Sequence, residues 1–225
     1  MIERGVRSRP GSRRAWEKIR RPLAAAALCG MAAISLSACV GMAMGGAVLG
    51  TLAATDRRTL GAQTEDKAIV LKGENRARNV AGSAANVNVA SFNRRVLLTG
   101  EVRDEATKAA VQSAVAEVEG VEAVFNELAI AGTSSLTSRS NDTLITGKVK
   151  ASLVDTRDLS ANAFKVVTER GTVYLMGRVS PDEGNRAAEV ARGVSGVQKV
   201  VKVFEYIGEE EARQLSGMPP AGSRN

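Results

Sequence analysis

The sequence predicts an α+β fold made of two copies of one small unit. The stretch VLLTGEV at residues 96–102 returns as VYLMGRV at residues 173–179, and their glycines, Gly100 and Gly177, lie 77 positions apart. Each copy follows a second strand-like run and precedes a helical stretch and a further strand. Self-similarity at a fixed distance indicates repeated structural units, so we expect two equivalent domains in the order helix–strand–strand–helix–strand.

The strands are predicted from short runs of β-branched, aromatic and other apolar residues between turn residues. They cover residues 87–92, 96–102 and 121–130 in the first unit, and residues 164–169, 173–179 and 197–207 in the second. Three strands form a small mixed sheet in each unit. The two helices of the unit are expected to pack on one face of that sheet, because an α+β layer must bury the apolar face of both.

The helices are predicted from apolar residues at helical spacing. The helix after each hairpin has a good N-cap residue, Asp104 or Ser180, and Pro181 suits the first helical position of the second one. The helix that opens the second unit is expected to begin with Asn141 or Asp142 as its N-cap. Its residues Ile145, Val149, Ser152 and Leu153 form one stripe, which we expect to face the sheet.

The N-terminal region has the pattern of an export signal. Residues 1–22 hold eight basic residues, and residues 23–38 carry no charge and end in small residues. This apolar stretch is shorter than the roughly 20 residues of a membrane-spanning helix, and the pattern is typical of a secretory signal peptide. The last residues, Leu-Ser-Ala-Cys39, resemble a bacterial lipobox, which implies lipidation of Cys39 and cleavage before it. A cleavable signal with an incidental cysteine is the alternative.

Charge argues against a nucleic-acid partner. The net charge is +7, but residues 1–38 hold 8 of the 31 basic and 2 of the 24 acidic residues, so the remaining chain has a net charge of only +1. Aromatic residues make up 3% of the chain, which leaves few stacking platforms for bases. The sequence has no histidine, and Cys29 lies in the signal segment. We therefore expect no metal site, no cofactor and no enzyme activity, since the common catalytic dyads and triads are absent.

The two repeats resemble BON domains. The pattern is a hairpin ending in V-x-L-x-G-x-V, a helix and then G-V-x-x-V, and it occurs at residues 96–102 with 120–124 and at residues 173–179 with 196–200. Together with Cys39 and a small-residue tether, this order resembles the dual BON-domain outer-membrane lipoproteins of the DolP type. Val40, not aspartate, follows Cys39, and in such lipoproteins this implies transfer to the outer membrane, facing the periplasm.

The resemblance implies a lipoprotein that binds anionic phospholipid through its second BON domain and supports outer-membrane integrity, concentrating at the division site. The residues expected to meet lipid lie beside the core stripe of the second unit's first helix, with a weaker contribution from the end of the hairpin. They are Leu144, Gly147, Lys148, Lys150, Ala151, Val154, Gly177 and Arg178. Leu144 stands where this group can carry a tryptophan. An ordinary solvated helix face with one exposed leucine is the alternative interpretation.

The domain organisation follows from these assignments. The expected segments are a signal peptide at 1–38, lipidated Cys39 with a tether at 39–60, a first BON domain at 61–131, a linker at 132–139, a second BON domain at 140–208 and a disordered tail at 209–225. The competing function is an adaptor or scaffold whose partner is an envelope protein: a protease, the barrel-assembly machinery or a peptidoglycan-remodelling enzyme. Exposed strand edges at 121–130 or 197–207 would accept such a partner.

Overall fold

Both predicted repeats are α+β domains in the computed structural model, which describes residues 56–82, 85–157 and 159–216. The predicted signal peptide, Cys39 and most of the predicted tether lie outside the described residues. The first domain contains α1 (Leu60–Ala81), β1 (Asn86–Phe92), β2 (Arg95–Val102), α2 (Glu105–Ala116), β3 (Ala123–Asn126) and β4 (Ala129–Ile130). Strand β2 is central: β1 is antiparallel to it, and β3 and β4 pair with it in parallel.

The second domain repeats this topology. It contains α3 (Leu136–Asp155), a short 3-10 helix (Ala161–Ala163), β5 (Phe164–Glu169), β6 (Thr172–Val179), α4 (Pro181–Arg192), β7 (Lys199–Tyr206) and α5 (Glu209–Leu215). Strand β5 is antiparallel to β6, and β7 is parallel to it. The predicted fold class is therefore confirmed, with a mixed sheet and two principal helices in each domain.

The predicted N-caps of the second helix of each domain are confirmed. The side chain of Asp104 accepts a hydrogen bond from the backbone N–H of Thr107. Ser180 and Glu183 form a reciprocal capping box, and Pro181 occupies the first turn of α4. These contacts satisfy N–H groups that have no partner inside a helix, which is why the chain turns into a helix at these two points.

The predicted start of α3 is wrong. The helix begins at Leu136 with Ser135 as its N-cap, so the expected linker at 132–139 is partly helical. Asp142 is buried in the helix and caps nothing at its start. Its carboxylate instead accepts hydrogen bonds from the backbone N–H groups of Arg170 and Gly171, at 2.9 and 2.8 Å, in the turn between β5 and β6.

The first domain contains the same device, here called the carboxylate clamp: a buried helix aspartate that binds both N–H groups of a two-residue hairpin turn. Asp66 on α1 accepts from the N–H groups of Asn93 and Arg94, at 2.8 and 2.9 Å. Both residues have positive φ, 49° and 64°. Paired positive φ values match the twist of a two-residue β-hairpin, so the clamp holds two non-glycine residues in a conformation that side chains disfavour.

Each domain has its own core between helices and sheet, and a third apolar cluster lies between the two sheets. The third cluster consists of Phe92, Leu97, Tyr174, Met176 and Val203. Alternate residues of a strand point to opposite faces, so each sheet covers helices on one side and the other sheet on its second side. Burying each large apolar side chain contributes about 1.5–3 kcal/mol. The two domains therefore belong to one compact unit.

Polar contacts surround the cluster between the sheets. The amide of Asn88 donates to Glu169 at 2.9 Å, and the amide of Asn93 donates to Glu205 at 2.6 Å. Burial raises the pKa of Glu169, and the nearby charges of Glu101 and Asp142 raise it further. The hydrogen bond from Asn88 acts in the opposite direction but is weaker than the effect of burial. The domain interface thus combines an apolar centre with specific hydrogen bonds at its edge.

Both ends of the described chain are bound to the second domain. The side chain of Arg57 is fully buried and makes a two-pronged ion pair with Glu183, at 2.6 and 2.8 Å, and it also donates to the carbonyl oxygen of Arg178 at 2.8 Å. A further hydrogen bond reaches Ser216 Oγ at 3.1 Å, just after α5. Burial opposes ionisation of Glu183, but the hydrogen bonds from Arg57 and the Ser180 N–H, with the charges of Arg57 and Arg186, together hold its pKa below the ordinary value.

This arrangement corrects two boundaries. The tether was expected to extend to residue 60, but residues 56–59 are already packed against the folded unit through Arg57 and Arg58. The disordered tail was expected to begin at residue 209, but Glu209–Leu215 form α5, with Ala212 buried. Three glutamates, Glu209, Glu210 and Glu211, open α5. They lie at a helix N-terminus, where negative charge is favourable.

Candidate functional site

The candidate site is the outer face of α3. The predicted core stripe is confirmed for Ile145, Val149 and Leu153, which are at most 1% exposed, whereas Ser152 is half-buried. On the opposite face Leu144 is 64% exposed and Val154 is 69% exposed. The remaining helix residues expected to meet lipid are exposed as well: Gly147, Lys148, Lys150 and Ala151. The helix therefore presents two apolar side chains and two lysines together on its surface.

Contacts on the buried side fix the orientation of this face. The clamp of Asp142 ties the middle of α3 to the β5–β6 turn. The hydroxyl of Thr146 donates to that of Thr168 on β5 at 2.7 Å. Nothing lies within 4 Å of the place where a Cβ on Gly147 would sit, so the face is open at this position. Leu144 and Val154, ten residues apart, are separated by about 15 Å along the helix.

Gly177 and Arg178 do not join this face. Gly177 is buried on β6, where an added Cβ would come within 2.4 Å of the Ala163 carbonyl oxygen, which explains the glycine. The guanidinium of Arg178 is bound to Glu205 at 2.9 Å and to Glu211 at 3.0 Å. Two carboxylates already neutralise this arginine, so the structure does not present it as a free cation for an anionic headgroup.

Sequence reasoning missed a cleft at the end of the α3 face. The cleft has a volume of about 440 Å³, and Lys150 and Val154 of α3 form one side of it. Arg58 and Lys165 supply further positive charge, and the Phe92 ring lies 4.2 Å beneath the Arg58 guanidinium. Burial lowers the pKa of Lys165, and the charges of Arg58 and Lys150 lower it further. No sequence signal separates Lys165 from other strand lysines, because its position depends on packing between the domains.

Two other kinds of feature would bear on function among the described residues: a metal-ligand cluster and a membrane-spanning helix. Within residues 56–82, 85–157 and 159–216, no group of three or more histidine, cysteine, aspartate or glutamate side chains is placed to hold a metal ion. Among the helices of these same ranges, none combines the length and apolar character that crossing a membrane requires. The predicted lipidation site, Cys39, lies outside the described part of the chain.

Comparison with known proteins identifies the family. The family model described as "BON domain" matches residues 74–132 and 141–208. The outer membrane lipoprotein DolP of Haemophilus influenzae is 37% identical over 188 residues, which cover 83% of this chain and 97% of that protein. The chain belongs to the dual BON-domain proteins of the DolP type. The predicted resemblance is thus confirmed, and each domain of the structure contains one BON match.

Other BON-domain relatives are more distant. The 21 kDa hemolysin of Actinobacillus pleuropneumoniae is 34% identical over 157 residues, covering 68% of this chain and 79% of that protein. Osmotically-inducible protein Y of Escherichia coli is 30% identical over 120 residues, covering 52% of this chain and 60% of that protein. These similarities reinforce the BON assignment and leave the α3 face as the site to be explained.

Proposed function

We propose that this BON-domain protein binds anionic phospholipid through the outer face of α3 and thereby supports the integrity of the outer membrane, concentrating at division sites. Its location would be the periplasmic face of the outer membrane, held by lipid on Cys39. Similarity to an outer membrane lipoprotein over 97% of that protein's length supports this location. The observation that carries the proposal is the α3 face itself, where exposed Leu144 and Val154 lie among Lys148 and Lys150.

This combination of residues suits a bilayer surface. Apolar side chains enter the boundary between headgroups and acyl chains, while ammonium groups meet lipid phosphate. Each lysine near an anionic surface contributes about 1 kcal/mol. Gly177 and Arg178 have no part in the proposed site, because one is buried and the other is paired with two carboxylates. With an anchor on Cys39, the α3 face would add avidity and a preference for anionic lipid.

Co-sedimentation with liposomes tests the proposal. A fragment of residues 56–225 retains all three apolar clusters, and its circular dichroism and thermal unfolding should be checked first. We expect it to bind vesicles containing anionic phospholipid and not purely zwitterionic ones. The variant Leu144→Asp/Lys148→Glu should bind at least tenfold more weakly, because it loses an apolar contact and reverses a charge.

A matched control is Ile130→Asp/Lys199→Glu, which makes the same chemical changes at exposed positions on β4 and β7 instead of α3. This control should bind like the natural sequence. Absence of binding to anionic vesicles by the natural fragment, or undiminished binding by the α3 variant, would refute the proposal.

An adaptor function for an envelope protein is the second candidate, and the edge strand β7 favours it. Among the described residues, β7 pairs only with β6, so one edge of this eight-residue strand is open, and Tyr206 at its end is 54% exposed. An open edge can accept a strand from a partner. Lipid flotation of the purified fragment without any other protein separates the two functions, since an adaptor would stay with the soluble fraction.

A further inference from the structure

Two clefts at the boundary between the domains share the residues Arg58 and Lys165. The first is the cleft of about 440 Å³ beside Lys150 and Val154 of α3. The second has a volume of about 450 Å³ and is bordered by Lys67 and Leu71 of α1, in the first domain. The outer helix of the second domain, α3, and the opening helix of the first domain, α1, therefore border two neighbouring clefts that share the Arg58 and Lys165 side chains. These two clefts together are here called the paired cleft.

The paired cleft is positively charged. Among its described lining residues the acidic groups are Asp56 and Asp66, and both bind Arg58, at 2.7 and 2.8 Å. In the described part of the chain, none of the lining lysines, Lys67, Lys150 and Lys165, forms a salt bridge. Lys165 donates to the neutral carbonyl oxygen of Ser91 at 3.0 Å. An anion in the first cleft would meet Lys150 and Lys165, and an anion in the second would meet Lys67 and Lys165, without first displacing a carboxylate.

The rim of the paired cleft is apolar on both sides. Leu71 on α1 is 65% exposed, and Val154 on α3 is 69% exposed. Large exposed apolar side chains next to lysines are typical of surfaces that lie in a membrane interface. Arg58 is held in place between its two aspartates and the Phe92 ring. The centre of the paired cleft is thus preorganised, while its apolar rim projects into solvent.

We infer that the paired cleft binds the phosphate of anionic phospholipids in a bilayer, with α1 and α3 entering the same leaflet on either side of it. Leu71 and Val154 enter the acyl boundary, and Lys67, Lys150 and Lys165 bind headgroup phosphate. This inference rests on the proposed function and extends it: the first domain becomes part of the lipid site, and the membrane contacts both domains at once. Two contacts on one compact unit would also define how the protein is oriented on the leaflet.

Site-specific fluorescence tests this geometry. The only two cysteines of the chain, Cys29 and Cys39, precede residue 56, so a fragment of residues 56–225 can carry one introduced cysteine with a unique environment-sensitive label. We expect labels at Leu71→Cys and at Val154→Cys to shift to shorter emission wavelength on vesicles containing anionic phospholipid. A label at Ser113→Cys, an exposed position of α2 outside the paired cleft, should not shift.

Charge reversal on α1 provides an independent measurement. Lys67→Glu/Leu71→Asp should weaken binding to anionic vesicles at least fivefold, the equivalent of about one lysine contact. The control Lys72→Glu/Val80→Asp makes the same changes on the same helix, at exposed residues outside the paired cleft, and should bind like the natural fragment.

The outcomes separate this inference from the proposed function. A shift at position 154 without a shift at position 71, together with normal binding by Lys67→Glu/Leu71→Asp, would overturn the inference and leave the α3 face as the whole lipid site. No shift at either position would overturn both. Equal shifts on zwitterionic vesicles would overturn the role assigned to phosphate and the lysines.

Discussion

In the first domain Asp66 holds the turn between β1 and β2, and in the second domain Asp142 holds the turn between β5 and β6. The two clamps have the same geometry but different surroundings. Asp66 also accepts a hydrogen bond from Ser91 Oγ at 2.6 Å and forms an ion pair with Arg58 at 2.8 Å. Asp142 binds the N–H groups of the turn in the second domain. The carboxylate clamp therefore recurs in both repeats. In the first domain its aspartate also binds Arg58, in the segment that precedes α1.

The domains differ more at their ends. The second domain binds Arg57 and α5, which meet at Ser216, whereas the first domain contacts only the N-terminal of these two segments, through the Asp66–Arg58 ion pair. The segment leading from the predicted lipid anchor is thus bound first to the second domain, which also contains the α3 face. The two repeats therefore share turn chemistry and core packing, but among the described residues only the second domain binds both ends of the chain.

The largest expected difference between the domains concerns the clamps. Asp66→Ala should lower the free energy of unfolding by about 3–5 kcal/mol, because two turn N–H groups and the buried Ser91 hydroxyl lose their acceptor and the half-buried Arg58 loses one of its two carboxylates. Asp142→Ala should cost about 1–3 kcal/mol, the penalty for unsatisfied turn N–H groups. Urea denaturation measures both. The control is Asp182→Ala, at an exposed position. Equal losses of unfolding free energy in Asp66→Ala and Asp142→Ala would show that the contacts of Asp66 with Arg58 and Ser91 add no stability.

A smaller loss is expected at the chain ends. Arg57→Ala should cost about 2–3 kcal/mol, because a buried two-pronged pair with Glu183 is broken. Amide hydrogen exchange should accelerate in Glu209–Leu215 and leave β1 and β2 unchanged. Arg57→Lys should rescue only part of the loss, since an ammonium group cannot form the forked contact. Unchanged exchange in α5 would mean that Ser216 and Arg57 do not hold this helix.

The smallest effect expected is a pH dependence of the unfolding free energy that arises from Asp66 in the first domain. Burial opposes ionisation of Asp66, but hydrogen bonds from Ser91, Arg58 and the turn N–H groups outweigh it and lower its pKa below the ordinary value of 3.8. A carboxyl group with a lowered folded-state pKa stabilises the fold above pH 3.8, and this stabilisation is lost as the pH falls through the folded-state value. Each unit of lowering corresponds to about 1.4 kcal/mol.

The measurement is the difference in unfolding free energy between the natural sequence and Asp66→Asn, followed from pH 7 to pH 2. The difference should be constant near neutrality and should shrink below about pH 4. A difference that stays the same down to pH 2 would show that the pKa of Asp66 is not lowered by folding.

Much of the domain architecture was predictable because it depends on local patterns. The repeat of VLLTGEV as VYLMGRV, the N-caps Asp104 and Ser180, and the stripe of Ile145, Val149 and Leu153 all follow from residue types at short spacing. The face opposite that stripe was predictable for the same reason, since a helix that buries one side must expose the other. Arg178 was misjudged because its partners, Glu205 and Glu211, are distant in sequence.

The sequence by itself determined that there are two α+β repeats, where their hairpins and second helices lie, and which side of α3 is apolar core. Only the tertiary structure decided that Asp142 binds a turn 28 residues away, that Arg57 pairs with Glu183 across 126 residues, and that the two sheets pack face to face around Leu97 and Tyr174. Local patterns set secondary structure because backbone conformation and helix capping depend on neighbouring residues. Contacts between distant segments depend on how whole surfaces fit together, and the paired cleft between α1 and α3 exists only after that fit is made.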